Sequence, residues 1–244
     1  MSLPVKNMSR RSIVLGMGLA GAAGTALALS GCGNSHAAQA SRRPSSSTAL
    51  ASAAGSVCKA VKQPQPKGTE HLSKPNLHLD LSKTYEVQMV TNCGNIEIQL
   101  DAAEAPTVVA SFVHLVQIGF YNDLTFHRVV AGYLIQGGDP MGDGSGGPGY
   151  TVTERPPSDV QYTKGTVAMA KDPADPPGTA GSQFFIVTGN DVDLPPQYAV
   201  LGKVVAGAQT VSAIAHVPTT ESPDGEDSEP TKPIVISKAT VQVN

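Results

Sequence analysis

Arg128 is the residue whose chemistry stands out first. It lies in the run Phe126-His127-Arg128-Val129-Val130-Ala131-Gly132-Tyr133-Leu134-Ile135-Gln136-Gly137-Gly138-Asp139. A guanidinium is always charged and presents a rigid fork of donors. Such a group can hold a developing lone pair or negative charge, and it cannot act as a base. The plain alternative is a surface ion pair. The sequence offers little for other catalytic sets. Cys58 and Cys93 have no nearby His to make a thiol nucleophile. His36, His71, His78, His114 and His216 are scattered, so neither a metal site nor a cofactor is expected. Gly137-Gly138 and the glycines of 144–149 lack the Walker lysine and the strand–loop–helix setting of a phosphate loop. His127 reads as a structural partner rather than a catalyst.

The elements that must position Arg128 follow from patterning. Tyr85 to Val90 alternates apolar and polar residues, and so does Ile96 to Leu100. With Asn92-Cys93-Gly94-Asn95 between them, they read as a hairpin. Pro106 and Thr107 open a helix running to about Ile118. Val109, Phe112, Val113 and Val116 form its apolar stripe, and Gly119 ends it. Short strands are expected at 128–130, 133–137, 165–170, 183–188, 199–204 and 234–243. A second short helix is expected at 207–215. Phe112, Phe184 and Leu115 read as core. Many short strands with Gly/Pro turns and two helices indicate a mainly β domain, either a closed barrel or a sandwich. The acidic stretch 221–230 reads as a solvated surface excursion.

The chain has 244 residues, 40% of them apolar, enough for a real core in one or two domains. Its three cysteines cannot form a disulfide scaffold or a four-Cys zinc site. The net charge of −3 hides an asymmetry: residues 1–69 hold eight Lys/Arg and no acid, whereas 70–244 hold nine Lys/Arg and twenty Asp/Glu. An acidic globular part argues against nucleic acid as a partner. No heptad or interface helix is evident, so a monomer is expected.

The N-terminus reads as an address. Lys6, Arg10 and Arg11 precede an uncharged Gly/Ala/Leu-rich stretch from Ile13 to Ser30. This is the layout of a signal peptide over 1–31, with a twin-arginine look at Arg10-Arg11. Leu29-Ser30-Gly31-Cys32 resembles a bacterial lipobox, which implies diacylglycerol on Cys32 and a membrane anchor. An uncleaved membrane helix is the alternative, although the stretch is short and Gly-rich for a span. Residues 32–76 are expected to be a flexible Ser/Ala/Pro-rich tether, with the Lys/Pro-rich part from Val57 to Pro75 extended and lying on the domain as one reading. The domain proper is then 77–244. Outside the cytoplasm Cys58 and Cys93 are expected to pair, the alternative being two reduced thiols.

Two further stretches complete the pattern: Gly181-Ser182-Gln183-Phe184-Phe185-Ile186 and Ala199-Val200-Leu201-Gly202-Lys203-Val204. In this order, with the Phe126–Asp139 run, they closely resemble the cyclophilin family of peptidyl-prolyl cis–trans isomerases, over about Thr84 to Val243. The resemblance implies an eight-stranded antiparallel barrel capped by two helices. It implies that Arg128 is the catalytic arginine, that Gln136 orients it, and that Phe185 is the floor of a proline pocket. Tyr133 and Leu134 fall where the family usually has Phe and Met. Leu194 and Tyr198 match other pocket walls, Tyr198 where many members have His. Ala170 and Lys171 match a strand-end pair whose backbone holds the peptide, and Gln183 matches the glutamine beside the groove. The Pro-rich, acidic loop from Lys171 to Gly178 is expected to reshape the groove edge. Asp193 stands where many eukaryotic members have Trp, so weak cyclosporin binding is expected.

The chemistry implied needs no nucleophile, base or metal. Amide resonance sets a barrier of about 18–20 kcal/mol to rotation about an Xaa-Pro bond. Twisting the bond frees the nitrogen lone pair, and a fixed donor beside that nitrogen binds the twisted state better than the planar one. The expected substrates are proline-containing peptides and unfolded exported proteins, met at the outer face of the cytoplasmic membrane. The alternative is a non-catalytic peptide-binding or scaffolding lipoprotein on the same fold.

Overall fold

The structure is a computed structural model that describes residues 58–68, 70–190 and 192–244. The expected signal segment, Cys32 and most of the expected tether lie outside the described residues. Eight strands close into an antiparallel barrel: β1 (Tyr85–Thr91), β2 (Gly94–Leu100), β3 (Leu124–Val130), β4 (Leu134–Asp139), β6 (Thr166–Met169), β8 (Phe184–Val187), β9 (Val200–Ala206) and β12 (Val235–Val243). Around the barrel they run β1-β12-β3-β4-β8-β6-β9-β2. Two small pairs sit outside it, β5 (Val152–Thr153) with β7 (Thr179–Ala180) and β10 (Thr219–Glu221) with β11 (Asp227–Pro230). None of the described helices is long and apolar enough to cross a membrane.

The helices are α1 (Pro106–Gln117) and α2 (Ala208–Ala215). Pro106 starts α1 where its missing N–H costs nothing. Ala105 at the N-cap offers no side-chain acceptor, and the Val108 N–H is satisfied from far away by Glu154 Oε2 at 2.9 Å. The apolar stripe of α1, including Val109, Phe112, Val113 and Val116, is buried.

Side chains in strands alternate between faces. Phe112, Tyr121, Phe126 and Phe184 meet in the interior, with Phe184 ring contacts at 5.8 Å to each of the other three. Gly138 makes their closure possible. It adopts φ +86°, and a Cβ there would stand 2.5 Å from the Ser182 carbonyl and 3.1 Å from the Tyr121 ring.

Two features sharpen the sequence expectation. The strip ahead of residue 77 is tied to the domain from Cys58 onward. Cys58 is disulfide-bonded to Cys93, Lys59 N–H donates to Asn92 O, Lys67 N–H to Pro140 O, and Leu72 N–H to Pro148 O. Backbone bonds to barrel loops thus fix an extended, proline-bearing strip that has no ladder of its own. The acidic stretch 221–230 is mostly exposed, as expected, but it is ordered. It forms the turn and second strand of the β10–β11 hairpin, and Ser228 within it is buried. Its partner strand is the unpatterned Thr219–Glu221, which gives no alternation to read.

Candidate active site

Three neighbouring barrel strands bring Arg128, Gln136 and Phe185 into one row. Arg128 of β3 is the cross-strand partner of Gln136 of β4, and Gln136 is the partner of Phe185 of β8. Partners in a row share a face. The next row, Val129, Ile135 and Ile186, belongs to the interior. The row with Arg128 therefore faces outward, one residue out of phase with the core.

A continuous line of hydrogen bonds fixes that row. Arg128 Nη1 donates to Gln136 Oε1 at 3.3 Å. Gln136 Nε2 donates to Gln183 Oε1 at 3.0 Å. Gln183 Nε2 reaches the carbonyls of Gly144 and Gly146, each at 2.9 Å. Gln136 and Gln183 are both buried. Buried amides need such partners, and here each satisfies the next.

An apolar cluster stands beside the arginine on this outer face. It contains Leu134, Phe185, Leu194, Tyr198, Ala168 and Ala170, with half-buried Tyr133 packed against it. Tyr198 meets Phe185 edge-on at 5.4 Å. The pocket expected from sequence is thus assembled, but it is closed. Phe185 is 0% exposed, and of the expected wall residues only Tyr133 keeps substantial surface. The cover includes Tyr162, which the sequence reading missed. Its ring lies 6.4 Å from Phe185, its hydroxyl donates to Tyr198 O at 2.8 Å, and it accepts from Tyr198 N–H at 3.0 Å. Burial pushes the Tyr162 and Tyr198 hydroxyls up to about 12, so both stay protonated at neutral pH. A lone tyrosine in a Pro-rich stretch carries no periodic signal that would have marked it.

Ala170 N–H donates to Gln183 O at 2.9 Å, which ties the end of β6 to the groove. The Lys171 side chain turns back on its own loop. Its ammonium caps the carbonyls of Asp172 and Asp175, each at 2.9 Å, and organises its own loop. Asp193 is exposed next to Leu194. Burial raises the Tyr133 hydroxyl, and Arg128 nearby opposes that shift.

The residue missed outright is Glu226, at the tip of the β10–β11 hairpin. Its carboxylate accepts from Arg128 Nε at 2.6 Å and from Nη2 at 3.0 Å. The two side chains are 6% and 17% exposed. This is a bidentate, charge-assisted pair. Beside it lies a cavity of about 290 Å³ lined by His127, Asp143, Gly144, Ser222 and Asp224 among others. His127 contributes two buried ring nitrogens without hydrogen-bond partners. Burial lowers its pKa to about 4, with Asp139 pulling the other way. Among the described residues no group of three or more His, Cys, Asp and Glu gathers to hold a metal.

Comparison with known proteins places this geometry. The chain is 41% identical over 167 residues to a Mycobacterium tuberculosis protein named "Probable peptidyl-prolyl cis-trans isomerase B", covering 62% of this chain and 52% of that one. It thus spans about half the length of that relative. It is 40% identical over 128 residues to a Helicobacter pylori peptidyl-prolyl cis-trans isomerase, covering 52% of this chain and 77% of the relative. A crystal structure of a Cryptosporidium parvum cyclophilin type peptidyl-prolyl cis-trans isomerase superposes with a TM-score of 0.59 at 30% identity, covering 66% of this chain and 99% of that one. Residues 86–241 match the family described as cyclophilin type peptidyl-prolyl cis-trans isomerase/CLD, and the chain belongs to that family.

Proposed function

We propose that this protein is a peptidyl-prolyl cis–trans isomerase in which Arg128 performs the catalytic step. The observation that carries the reading is the outward row Arg128–Gln136–Phe185, which sets a fixed cationic donor beside an apolar cluster. The proline ring packs at the edge of the cluster that half-buried Tyr133 leaves accessible. The Arg128 guanidinium donates toward the prolyl nitrogen as the bond twists. Gln136 holds the guanidinium, and Gln183 holds Gln136. Because the donors are fixed before the reaction, no reorganisation is needed as the lone pair develops. A structure of the Cryptosporidium relative in the presence of the dipeptide Ala-Pro supports a proline-containing ligand for this fold, at 29% identity and a TM-score of 0.58.

The substrates are exported proteins, met by a monomer that a lipid on Cys32 holds at the outer face of the cytoplasmic membrane. Mass spectrometry of membrane-extracted protein tests the anchor: an intact N-terminus or an unmodified Cys32 sinks it. Cyclosporin binds weakly, because acidic Asp193 replaces an aromatic contact.

The activity itself is tested by cis-to-trans exchange of a short Xaa-Pro peptide, wild type against Arg128→Ala. The wild type is expected to accelerate exchange and the variant to lose at least about a hundredfold in kcat/KM, the scale of a lost transition-state donor. No acceleration by a folded wild type would leave a peptide-binding module. The covered state of Phe185 is the feature that favours that second reading.

A further inference from the structure

We infer that Glu226 is a positioning residue for Arg128, supplied by the β10–β11 hairpin from the far end of the chain; the inference rests on Arg128 being the catalytic arginine. An arginine side chain has about 2 kcal/mol of rotamer entropy and several staggered torsions. A donor that must meet a prolyl nitrogen works only if those torsions are held. Gln136 alone makes a single contact of 3.3 Å to Nη1. Glu226 takes the opposite edge, Nε and Nη2, through two shorter bonds. The planar fork is therefore gripped at both edges, and its plane is fixed.

The hairpin is built to hold this grip. Ser222 N–H and Ser222 Oγ both donate to Glu226 O at 2.8 Å. Gly225 N–H donates to Ser222 O at 2.9 Å, with Gly225 at φ +82° closing the turn. Ser222 Oγ also meets the Asp224 carboxylate and, at 3.2 Å, the hydroxyl of buried Ser228. These bonds fix the turn just before β11, and with it the backbone that carries the Glu226 carboxylate. The carboxylate leaves Arg128 charged, since no carboxylate can deprotonate a guanidinium.

The test is a double-mutant cycle on the full chain: wild type, Glu226→Ala, Arg128→Ala and the double variant, with Glu226→Gln as the conservative change. Isomerisation of a chromogenic Ala-Pro tetrapeptide gives kcat and KM, and thermal unfolding checks that each variant is folded. Glu226→Ala is expected to lower kcat about tenfold with KM within about twofold, the range of coupling between residues in one network. Glu226→Gln keeps an acceptor for one edge and is expected to fall between. In the Arg128→Ala background, removing Glu226 is expected to change nothing. Equal losses in both backgrounds would make Glu226 merely structural and overturn the inference. So would a faster Glu226→Ala enzyme, which would make the hairpin a brake. If Arg128→Ala is slow while Glu226→Ala is unchanged, only this inference fails. If Arg128→Ala is as fast as the wild type, the catalytic reading of Arg128 fails first.

Discussion

Phe184 and Phe185 are neighbours on β8, and both are fully buried, yet they belong to different parts of the molecule. Phe184 points inward and meets three other rings of the barrel interior. Phe185 points outward to Tyr198, Tyr162 and Leu134. The interior is closed by apolar neighbours, and the one hydroxyl on the rings that meet Phe184, that of Tyr121, is satisfied by the Ser182 carbonyl at 2.9 Å. The outer cluster is bounded on one side by Arg128 and Gln136, which must find polar partners of their own. One face therefore stores stability, and the other holds a charge in a defined orientation.

Paired alanine substitutions break or sharpen that contrast most strongly. Phe184→Ala leaves a cavity among rings that cannot collapse, and a loss of about 3–5 kcal/mol is expected in denaturant unfolding. Isomerase activity per folded molecule should hardly change. Phe185→Ala is expected to cost less stability, because half-buried Tyr133 and Val192 can settle into the gap. It should lose most of the activity, because the proline ring loses its floor. Equal destabilisation with full activity for both variants would make the outer cluster ordinary core.

The second contrast lies between the barrel and the strip that covers it. The Cys58–Cys93 bond closes a loop of 35 residues. On the chain-entropy account such a cross-link is worth about 4 kcal/mol, and delivered values are often lower. Cys58→Ser with Cys93→Ser is therefore expected to lower unfolding stability by about 2–4 kcal/mol. Activity should survive, since the disulfide lies away from the Arg128 row. A double variant as stable as the parent would show that the strip is held by its backbone bonds alone.

These contrasts track what could be read beforehand. The inward face was legible because it repeats: Val87, Met89, Ile96 and Ile98 alternate, and all are buried as the pattern requires. The outward row was legible only through its motifs, since the register shifts in β3 and the apolar Leu134 and Phe185 on the outer face leave no clean alternation there. Glu226 was not legible. It lies 98 residues from Arg128, and the choice among twenty acids for one arginine leaves no trace in spacing. Tyr162 escaped for the same reason. Short two-residue strands such as β5 and β7 offer too few positions for a period to show.

His127 sits at the seam between the two regions, and pH probes it. Its pKa is about 4 in the folded chain against 6.5 for a free imidazole. The unfolded chain thus binds more protons between these values, so stability falls as pH is lowered. The contribution is complete above pH 6.5 and mostly gone by pH 4. It amounts to a few kcal/mol, at about 1.36 kcal/mol per unit between the two values. Unfolding curves at pH 7 and pH 4.5 should separate more for the wild type than for His127→Phe, which cannot titrate. Parallel pH dependence in the two proteins would mean that the imidazole stays solvated.

The smallest effect concerns two carboxylates that each reach across the fold. Glu154 accepts from the Val108 N–H at 2.9 Å and caps α1, where Ala105 cannot. Glu226 takes Arg128. If the division between a stability face and a charge-holding face is right, the two differ in what they control. Glu154→Ala should cost about 1 kcal/mol, the worth of an N-terminal cap, and leave kcat alone. Glu154→Gln keeps an acceptor but loses its charge at the positive end of the helix. It should cost only the macrodipole share, about 0.3–1 kcal/mol. Glu226→Ala should instead show its main effect in kcat. A Glu154 variant that slows isomerisation while still folded would mean that α1 and the Arg128 row are coupled through the barrel wall, and the two faces would then be one system.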